Sequence, residues 1–411
     1  MSGTLLVEDI GELVTCIAQG ADRLGLVANA AVLVVEGKIA YAGAHGGLAD
    51  RIPDGTARMS AGGRLVTPGL VEPHAHPIFA GTRAAEFAQR ARGATYLEIQ
   101  AAGGGILSTV RATRRASDAE LVASTLQRLD RFCAHGTTFV EAKSGYALSI
   151  EGELRLLRLL ARVAAEHAVG IAPTLLAHVP PPLELDGVDR ATFIRRFCDE
   201  AIPTAAREKL AEAVDVYCDE GAFTLQETRA ILGSARTHGL ALRVHAEQFT
   251  HTGVADLAAE LGARSVEHLE RPGAETPARL AAAGTVVNLL PGAALTLRLP
   301  WPDARLLIDA GCIVALGTDC NPGSSLTESQ PLMMSLAVTQ MGMTVEEAWL
   351  GVTMHAARAV GRADRGHLRA GAVGDLVLWD SHDHAAVVQH LGGARPRHVV
   401  IAGTLYAPST A

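Results

Sequence analysis

Histidine and aspartate side chains stand at the ends of several apolar runs along this chain. His74 and His76 follow the first of these runs, and His245, His268 and Asp319 lie at or just past three later ones. In a strand, residues i and i+2 point to the same side, so the first two imidazoles are aimed at one spot. Imidazole and carboxylate groups are good ligands for zinc and ferrous iron. This recurrence predicts a metal-dependent hydrolase built on a β/α barrel.

The spacing favours a site with one metal ion. We expect His74, His76, His245 and Asp319 to be the ligands, with one position left for water, whose pKa falls to roughly 7 when zinc holds it. The fourth predicted strand ends without a lysine that could bridge two metals. His268 is not needed as a ligand, and we expect it to act as a general acid or base beside the metal. Both zinc and iron suit these ligands.

An arginine follows the histidine pair at short range. Arg83 lies seven residues after His76. A guanidinium near a metal pocket suits a carboxylate on the substrate, which it would hold through two parallel hydrogen bonds. A surface arginine explains its position equally well, so both interpretations stay open at this point.

Composition excludes several classes of partner. The 411 residues are 48% hydrophobic and 19% charged, with a net charge of −8 and no basic run, which disfavours nucleic acid and anionic membranes. The six cysteines are spread along the chain without a Cys-x-x-Cys pair, so we expect reduced thiols. The N-terminus lacks the basic segment of a signal peptide, and no stretch has the apolar length of a membrane span. We therefore expect a cytoplasmic protein whose partner is a small-molecule substrate.

The central part of the chain alternates between apolar strands and helical segments. Strand candidates occur near 69–74, 137–142, 171–177, 214–218, 241–245, 264–268, 285–290 and 313–318. About eight strands alternating with helices is typical of a TIM-like (β/α)8 barrel, whose sites lie at the carboxyl ends of the strands. The candidate ligands lie at those ends. The fold class predicted is therefore α/β, with this barrel as its main body.

Both ends of the chain read as short strands with turns. The segment 31–43 is a hairpin that turns at Glu36-Gly37-Lys38, and strands are predicted within 374–380 and 399–406. Neither end could bury a sheet alone, so we expect the two to pair into one small β-sandwich domain outside the barrel. The predicted organisation lists three segments: 1–66 in the small β-domain, 67–360 in the hydrolase barrel, and 361–411 in the small β-domain.

The sequence 67–76, which carries the histidine pair, resembles the opening strand of the metal-dependent amidohydrolase superfamily. A finer resemblance is to the imidazolonepropionase family of histidine degradation, and it extends over nearly the whole chain. The stretches that carry it are Tyr96-Leu97-Glu98-Ile99 with Gly103 to Ile106, Glu141-Ala142-Lys143-Ser144-Gly145-Tyr146, His245-Ala246-Glu247-Gln248, and Thr318-Asp319 with Asn321 to Ser325. The second and fourth stretches are the most specific to that family.

The resemblance implies roles for further residues. The metal ligands it implies are the four already inferred, and it makes Arg83, Tyr146 and His178 contact the substrate. It implies that the glutamate-like end of the product is held by Asn321, Gly323 and Ser324, and that Gln248 touches the ring. Many family members carry glutamate at this last position, where it has been regarded as a base. An amide cannot take up a proton at neutral pH, so the base role here would fall to His268, Asp319 or both.

The implied reaction is hydrolysis of 4-imidazolone-5-propanoate to N-formimino-L-glutamate, with a water activated by zinc or iron. Superfamily resemblance also implies a homodimer. Two alternatives remain open on the sequence: a deaminase or another cyclic amidase with the same fold, and an inactive barrel that serves as a scaffold. Arg83, Tyr146 and Asn321 suit an acidic substrate rather than a neutral nucleobase, and the complete ligand set disfavours the scaffold.

Overall fold

The computed structural model describes residues 3–48, 52–94, 98 and 103–407. Sixteen named strands follow one another along these residues. In chain order they are β1 (Leu5–Val14), β2 (Leu26–Val35), β3 (Lys38–Ala44), β4 (Ala57–Ser60), β5 (Leu65–Pro68), β6 (Leu70–Ala75), β7 (Thr137–Lys143), β8 (Gly170–Ala177), β9 (Ala213–Cys218), β10 (Ala241–Ala246), β11 (Ser265–His268), β12 (Val286–Leu289), β13 (Val314–Leu316), β14 (Leu376–Trp379), β15 (Pro396–Ile401) and β16 (Thr404–Leu405).

Helices separate most of the strands from β6 onward. They span Ala84–Ala91, Ile106–Arg115, Asp118–Ala134, Ile150–Glu166, Leu183–Asp186, Arg190–Arg196, Ile202–Arg207, Leu225–Thr237, Val254–Leu261, Thr276–Ala283, Pro291–Leu297, Ala304–Asp309, Gln330–Gln340, Val345–Gly351, Met354–Ala359 and His384–Gln389. Ser117, Thr224 and Thr344 each begin a helix with a capping box, in which the hydroxyl accepts a backbone hydrogen bond three residues on. Among the described residues, no helix combines the length and apolar character required to cross a membrane.

Strands β6 to β13 form one parallel sheet in chain order. Its two ends meet, because Ala75 pairs with Cys320 and the backbone N–H of Asp319 donates to the carbonyl oxygen of His74 at 3.1 Å. Helices lie between successive strands, as right-handed parallel connections require. The predicted (β/α)8 barrel is thereby confirmed, and its strand ends gather at one rim.

The termini form a second eight-stranded sheet from β1 to β5 and β14 to β16. Strand β14 joins the halves by pairing antiparallel with β5, where Val377 lies opposite Thr67. The predicted hairpin is β2–β3, and it turns at Glu36 and Gly37 with φ of 50° and 76°. Two residues with positive φ are what a tight type I′ hairpin needs. The two termini therefore pair outside the barrel as expected, and the segment boundaries at 66 and 360 stay predictions.

The barrel strands are buried on both faces. Every residue of β6, β7, β11 and β12 is buried. Apolar side chains pack outward against the helices, as in other parallel sheets with covered faces. Several charged side chains, by contrast, lie inside this buried barrel: Glu141, Lys143, Asp215, Arg243 and Glu267. Such groups persist in an interior only when they are paired, which directs attention to the rim above them.

Candidate metal and active site

One cavity gathers nearly all of the side chains predicted to be functional. Its lining includes His76, Arg83, Tyr146, His178, His245, Gln248, His268, Asp319, Asn321, Gly323 and Ser324. His74 lies beneath it with no exposed surface. The sequence analysis gave no role to the other residues of the lining, namely Glu86, Arg90, Ile106, Val179, Tyr217, Phe249 and Leu297. The strand ends that carry the predicted residues therefore do converge on a common site.

Among the described residues, three groups of buried side chains share His74 and could each hold a metal ion. The first joins His74 to His76 and Asp319, the second joins it to His245 and His268, and the third joins it to Asp215 and Glu267. Within each group the ligand atoms all lie within 4.8 Å of one another. The four predicted ligands are thus divided between two overlapping groups. His268, which we expected to be an acid or base, belongs to the second.

Buried carboxylates orient two of these imidazoles. Nδ1 of His74 lies 3.1 Å from Oε2 of Glu267, and Nδ1 of His245 lies 3.0 Å from Oδ1 of Asp215. A carboxylate accepts, so each Nδ1 donates its proton there, which leaves Nε2 as the ring atom that can bind a metal ion. Nε2 of His74 is buried and has no hydrogen-bond partner among the described residues. An imidazole held this way by a carboxylate is typical of a metal ligand, so these residues fit a divalent cation.

The protonation states of three of the four predicted ligands also suit a cation. Burial lowers the pKa of His76 to about 4 and that of His245 to about 3, so both are neutral, as metal ligands must be. Burial also opposes a charge on His74, but the nearby carboxylates of Asp319 and Glu267 raise its pKa to about 9, so a bound cation would have to displace the proton from Nε2. Burial likewise opposes ionisation of Asp319, yet the adjacent rings of His74 and His76 hold its pKa well below the usual range. Asp319 is therefore a carboxylate, 3.5 Å from Nε2 of His74 and 3.4 Å from Nε2 of His76.

A fully buried lysine supports the orienting carboxylates from below. Nζ of Lys143 donates to Glu141 at 2.8 Å and to Asp215 at 2.7 Å. Burial opposes the charge on Lys143, but these carboxylates raise its pKa. The sequence analysis had noted Lys143 only in its family motif and had not foreseen the network. Since a buried carboxylate without a counter-ion is very costly, Lys143 stabilises Asp215 in the form that orients His245.

His268 has an orienting carboxylate of its own. Its Nδ1 lies 3.3 Å from Oε1 of Glu270, and the other oxygen of Glu270 is buried without a hydrogen-bond partner among the described residues. His268 has φ of 78° and Asp319 has φ of 51°. Non-glycine residues rarely adopt such conformations, and their cost is usually found at functional sites. The backbone is thus held so that both side chains meet the same cavity.

The opposite wall is built on a tight loop after β13. Oδ1 of Asn321 accepts from the backbone N–H groups of Gly323 and Ser324, both at 2.8 Å, so this side chain shapes the loop. Arg83 packs directly on the loop. A Cβ atom added to Gly323 would lie only 2.4 Å from Nη1 of Arg83. A side chain at Gly323 would therefore have to displace the guanidinium. Arg83 is also paired with Glu86, at 2.7 Å.

Two aromatic side chains close the site on a third side. Rings of Tyr146 and His178 lie 5.4 Å apart, and the His178 ring is stacked with that of His76 at 5.6 Å. Nδ1 of His178 lies 3.0 Å from the carbonyl oxygen of Gly145, which can only accept, so Nε2 keeps the lone pair. Burial lowers the pKa of His178 to about 3 and raises that of Tyr146. The pair thus presents one neutral acceptor and one neutral hydroxyl.

One predicted stretch is only partly described. Tyr96, Leu97 and Ile99 lie outside the described residues, whereas Gly103 and Gly105 lie inside them. Both glycines have positive φ, of 84° and 72°, and the helix Ile106–Arg115 begins directly after them. This short turn places Ile106 in the cavity wall.

Comparison with known proteins identifies relatives along nearly the full length. The Amidohydrolase family matches residues 65–406. An imidazolonepropionase from Deinococcus radiodurans is 45% identical over 92% of this chain and 92% of its own, and one from Rubrobacter xylanophilus is 44% identical over 99% and 95%. A zinc-bound adenosine deaminase from Xanthomonas campestris has a TM-score of 0.73 at 18% identity, covering 98% of this chain and 92% of its own. At that identity the structural likeness concerns the fold alone.

Proposed function

The chain belongs to the amidohydrolase family and, within it, to the imidazolonepropionases, and from this premise we propose that it hydrolyses 4-imidazolone-5-propanoate to N-formimino-L-glutamate in histidine degradation. One observation carries the proposal. A single cavity holds both a buried histidine–aspartate cluster and, on its other wall, the cation of Arg83. The first suits hydrolysis of a ring amide, and the second suits the propanoate group.

We assign His74, His76, His245 and Asp319 as ligands of one divalent cation, zinc or ferrous iron. Support comes from the unpartnered Nε2 of His74, the neutral imidazoles of His76 and His245, and the ionised carboxylate of Asp319. When bound, such a cation polarises a carbonyl oxygen and acidifies water. Asp319 supplies the anionic ligand, and Asp215 keeps His245 in the tautomer that binds.

Substrate binding falls to the other two walls. Arg83 binds the propanoate carboxylate, and the loop of Asn321, Gly323 and Ser324 surrounds that end. Since burial keeps Tyr146 protonated, its hydroxyl donates, whereas Nε2 of His178 accepts. Gln248 contacts the ring through hydrogen bonds only. Together these groups align the ring carbonyl with the histidine–aspartate cluster, which removes much of the entropic barrier.

The proton steps are assigned to His268, with Asp319 as its partner in activating water. Nε2 of His268 takes a proton from water as the water oxygen forms a bond to the ring carbonyl carbon. The carbon–nitrogen bond of the substrate ring then breaks, and the same Nε2 gives that proton to the departing nitrogen. Glu270 accepts from Nδ1 of His268 and so stabilises the positive charge that the ring carries in between. Gln248 also lies in the cavity, but its amide neither takes up nor releases a proton at neutral pH.

The direct test measures loss of 4-imidazolone-5-propanoate absorbance on addition of the purified protein. We expect turnover that stops with a chelator and returns with zinc or ferrous iron, and formation of N-formimino-L-glutamate. Guanine and cytosine serve as parallel substrates. Deamination of either base without hydrolysis of the imidazolone would contradict the proposal, and an apo protein that refuses both metals would favour the scaffold.

Replacing Arg83 with alanine should mainly weaken substrate capture. Removal of a buried charge-assisted pair should cost on the order of 2–5 kcal/mol, which appears as a KM increase of roughly 30-fold or more. The change also leaves Glu86 beside the substrate carboxylate, which adds repulsion. Steady-state kinetics would measure KM and kcat separately.

Arg229→Ala is the control for this variant. Arg229 forms an exposed ion pair with Glu260 between two outer helices, so its loss should leave both constants unchanged. Unchanged constants in the Arg83 variant would instead show that Arg83 does not contact the substrate.

The remaining expectations concern partners and place. The homodimer, the cytoplasmic location and the lack of nucleic-acid or membrane partners stay predictions. The substrate is a small molecule, as expected of the imidazolonepropionases.

A further inference from the structure

Glu86 lies in the wall of the cavity and has no part in the function proposed above. It is 12% exposed and belongs to the helix Ala84–Ala91, three residues after Arg83. Its Oε2 accepts from Nε of Arg83 at 2.7 Å and lies 2.7 Å from Nη2 of Arg83. Its Oε1 accepts from the backbone N–H of Gly105 at 3.2 Å. One carboxylate thus connects the arginine with the turn that begins the next helix.

These contacts determine which edge of the guanidinium a ligand can reach. Guanidinium offers five N–H donors in a rigid plane. Glu86 occupies the edge formed by Nε and Nη2 of Arg83, and Nη1 lies against Gly323. Gly323 is itself held from the other side, because Nη2 of Arg90 donates to its carbonyl oxygen at 3.2 Å. Arg83 is therefore fixed on two sides, and its outer edge is left for the cavity.

We infer that Glu86 is a positioning residue, which orients Arg83 so that the outer edge of the guanidinium meets a carboxylate at the far end of the substrate. This inference rests on the proposed function. Its consequence is that recognition depends on geometry more than on net charge, since Glu86 cancels the charge of Arg83 locally. A substrate without a correctly placed carboxylate gains no binding energy from Arg83, which makes Glu86 a determinant of specificity.

The opposite charges of Glu86 and Arg83 allow a clear test, because two explanations predict opposite changes in the affinity for carboxylate ligands. Glu86→Gln keeps the size of the side chain but removes its charge, and it places an amide N–H against donors. If Glu86 positions Arg83, the variant should bind carboxylate ligands more weakly. If Glu86 is only a counter-ion, its loss makes the surroundings of Arg83 more positive, and the variant should bind carboxylate ligands more tightly.

The experiment compares two competitive inhibitors of the metal-loaded enzyme. Imidazole-4-propanoate carries the carboxylate, and 4-ethylimidazole lacks it. For Glu86→Gln we expect the inhibition constant of imidazole-4-propanoate to rise about tenfold, a change of about 1.4 kcal/mol. The constant of 4-ethylimidazole should stay the same, and KM should change more than kcat. Glu260→Gln is the matched control, because Glu260 also accepts two hydrogen bonds from an arginine, but on the outer surface.

Three results would overturn the inference. These are an unchanged or tighter affinity of Glu86→Gln for imidazole-4-propanoate, an equal loss for both inhibitors, and the same loss when Glu86→Gln is added to Arg83→Ala. Should Glu86→Gln fail to fold, as judged by its thermal midpoint, Glu86→Asp replaces it with the same expectation. A wild-type protein that neither hydrolyses imidazolonepropanoate nor binds its analogue would refute the proposed function, and the inference with it.

Discussion

Asp319→Ala should lower the rate of imidazolonepropanoate hydrolysis by several orders of magnitude while the protein stays folded. The side chain supplies the carboxylate of the group formed with His74 and His76, and its pKa lies well below the usual range despite complete burial. Its loss removes both an anionic ligand and a partner for the attacking water. The fold should persist because the backbone N–H of Asp319, which closes the barrel on His74, is retained.

The measurements are metal content, turnover of the metal-loaded variant and thermal midpoint. Asp319→Asn tests the charge alone, since it keeps the size of the side chain. Asp380→Ala is the control, because Asp380 is exposed and forms its ion pair in the terminal sheet. Wild-type turnover in metal-loaded Asp319→Ala would remove this residue from the site.

The barrel could be predicted because its strands are buried on both sides. Such strands read as continuous apolar runs, and their spacing with helices between them is regular. The carboxyl ends of parallel strands share one rim. The sequence alone therefore predicts that His245 and Asp319 lie close together, although they are far apart along the chain. The pairing of the two termini was also predictable, since neither end could bury its own apolar face.

The support beneath the ligands was not predictable from the same signals. Asp215 and Glu267 stand within apolar strands, where a single charged residue gives no indication of its partner. Their partners, His245 and His74, lie on other strands, and only the register of the closed barrel sets Asp215 beside Lys143. A buried charge in a strand otherwise apolar was the one available signal, and it indicates a network without specifying it.

Local backbone conformation also escaped prediction. His268 and Asp319 adopt positive φ, and the residues next to them in the sequence do not indicate this conformation. The role of Glu86 was not predictable either, because a glutamate in the first turn of a helix usually only complements the helix dipole. Here the same residue contacts Arg83 and Gly105 at once. The role of Glu86 depends on the fold, which brings the turn at Gly105 next to it. The spacing of these residues in the sequence does not indicate that contact.

His268→Ala should bind metal normally and lose roughly 10²–10⁴-fold in rate, the usual contribution of general acid–base catalysis. Its Nδ1 is held by Glu270, which leaves Nε2 to exchange a proton in the cavity. The structure sharpens the question, because His268 also belongs to a metal-capable group with His74 and His245. If His268 is a ligand, the variant should lose metal together with activity, so metal content separates the two roles.

Gln248→Ala is the comparison that tests whether the proton steps depend on His268. Glutamine can only form hydrogen bonds, so its removal should reduce the rate less than removal of His268, with metal retained in both variants. Gln248 lines the same cavity and is 6% exposed, which makes it a matched position for this comparison. Because the family often carries glutamate here, Gln248→Glu adds a third measurement: an added base should partly restore rate in the His268→Ala background. A Gln248→Ala variant more damaged than His268→Ala would overturn the assignment of the proton steps to His268.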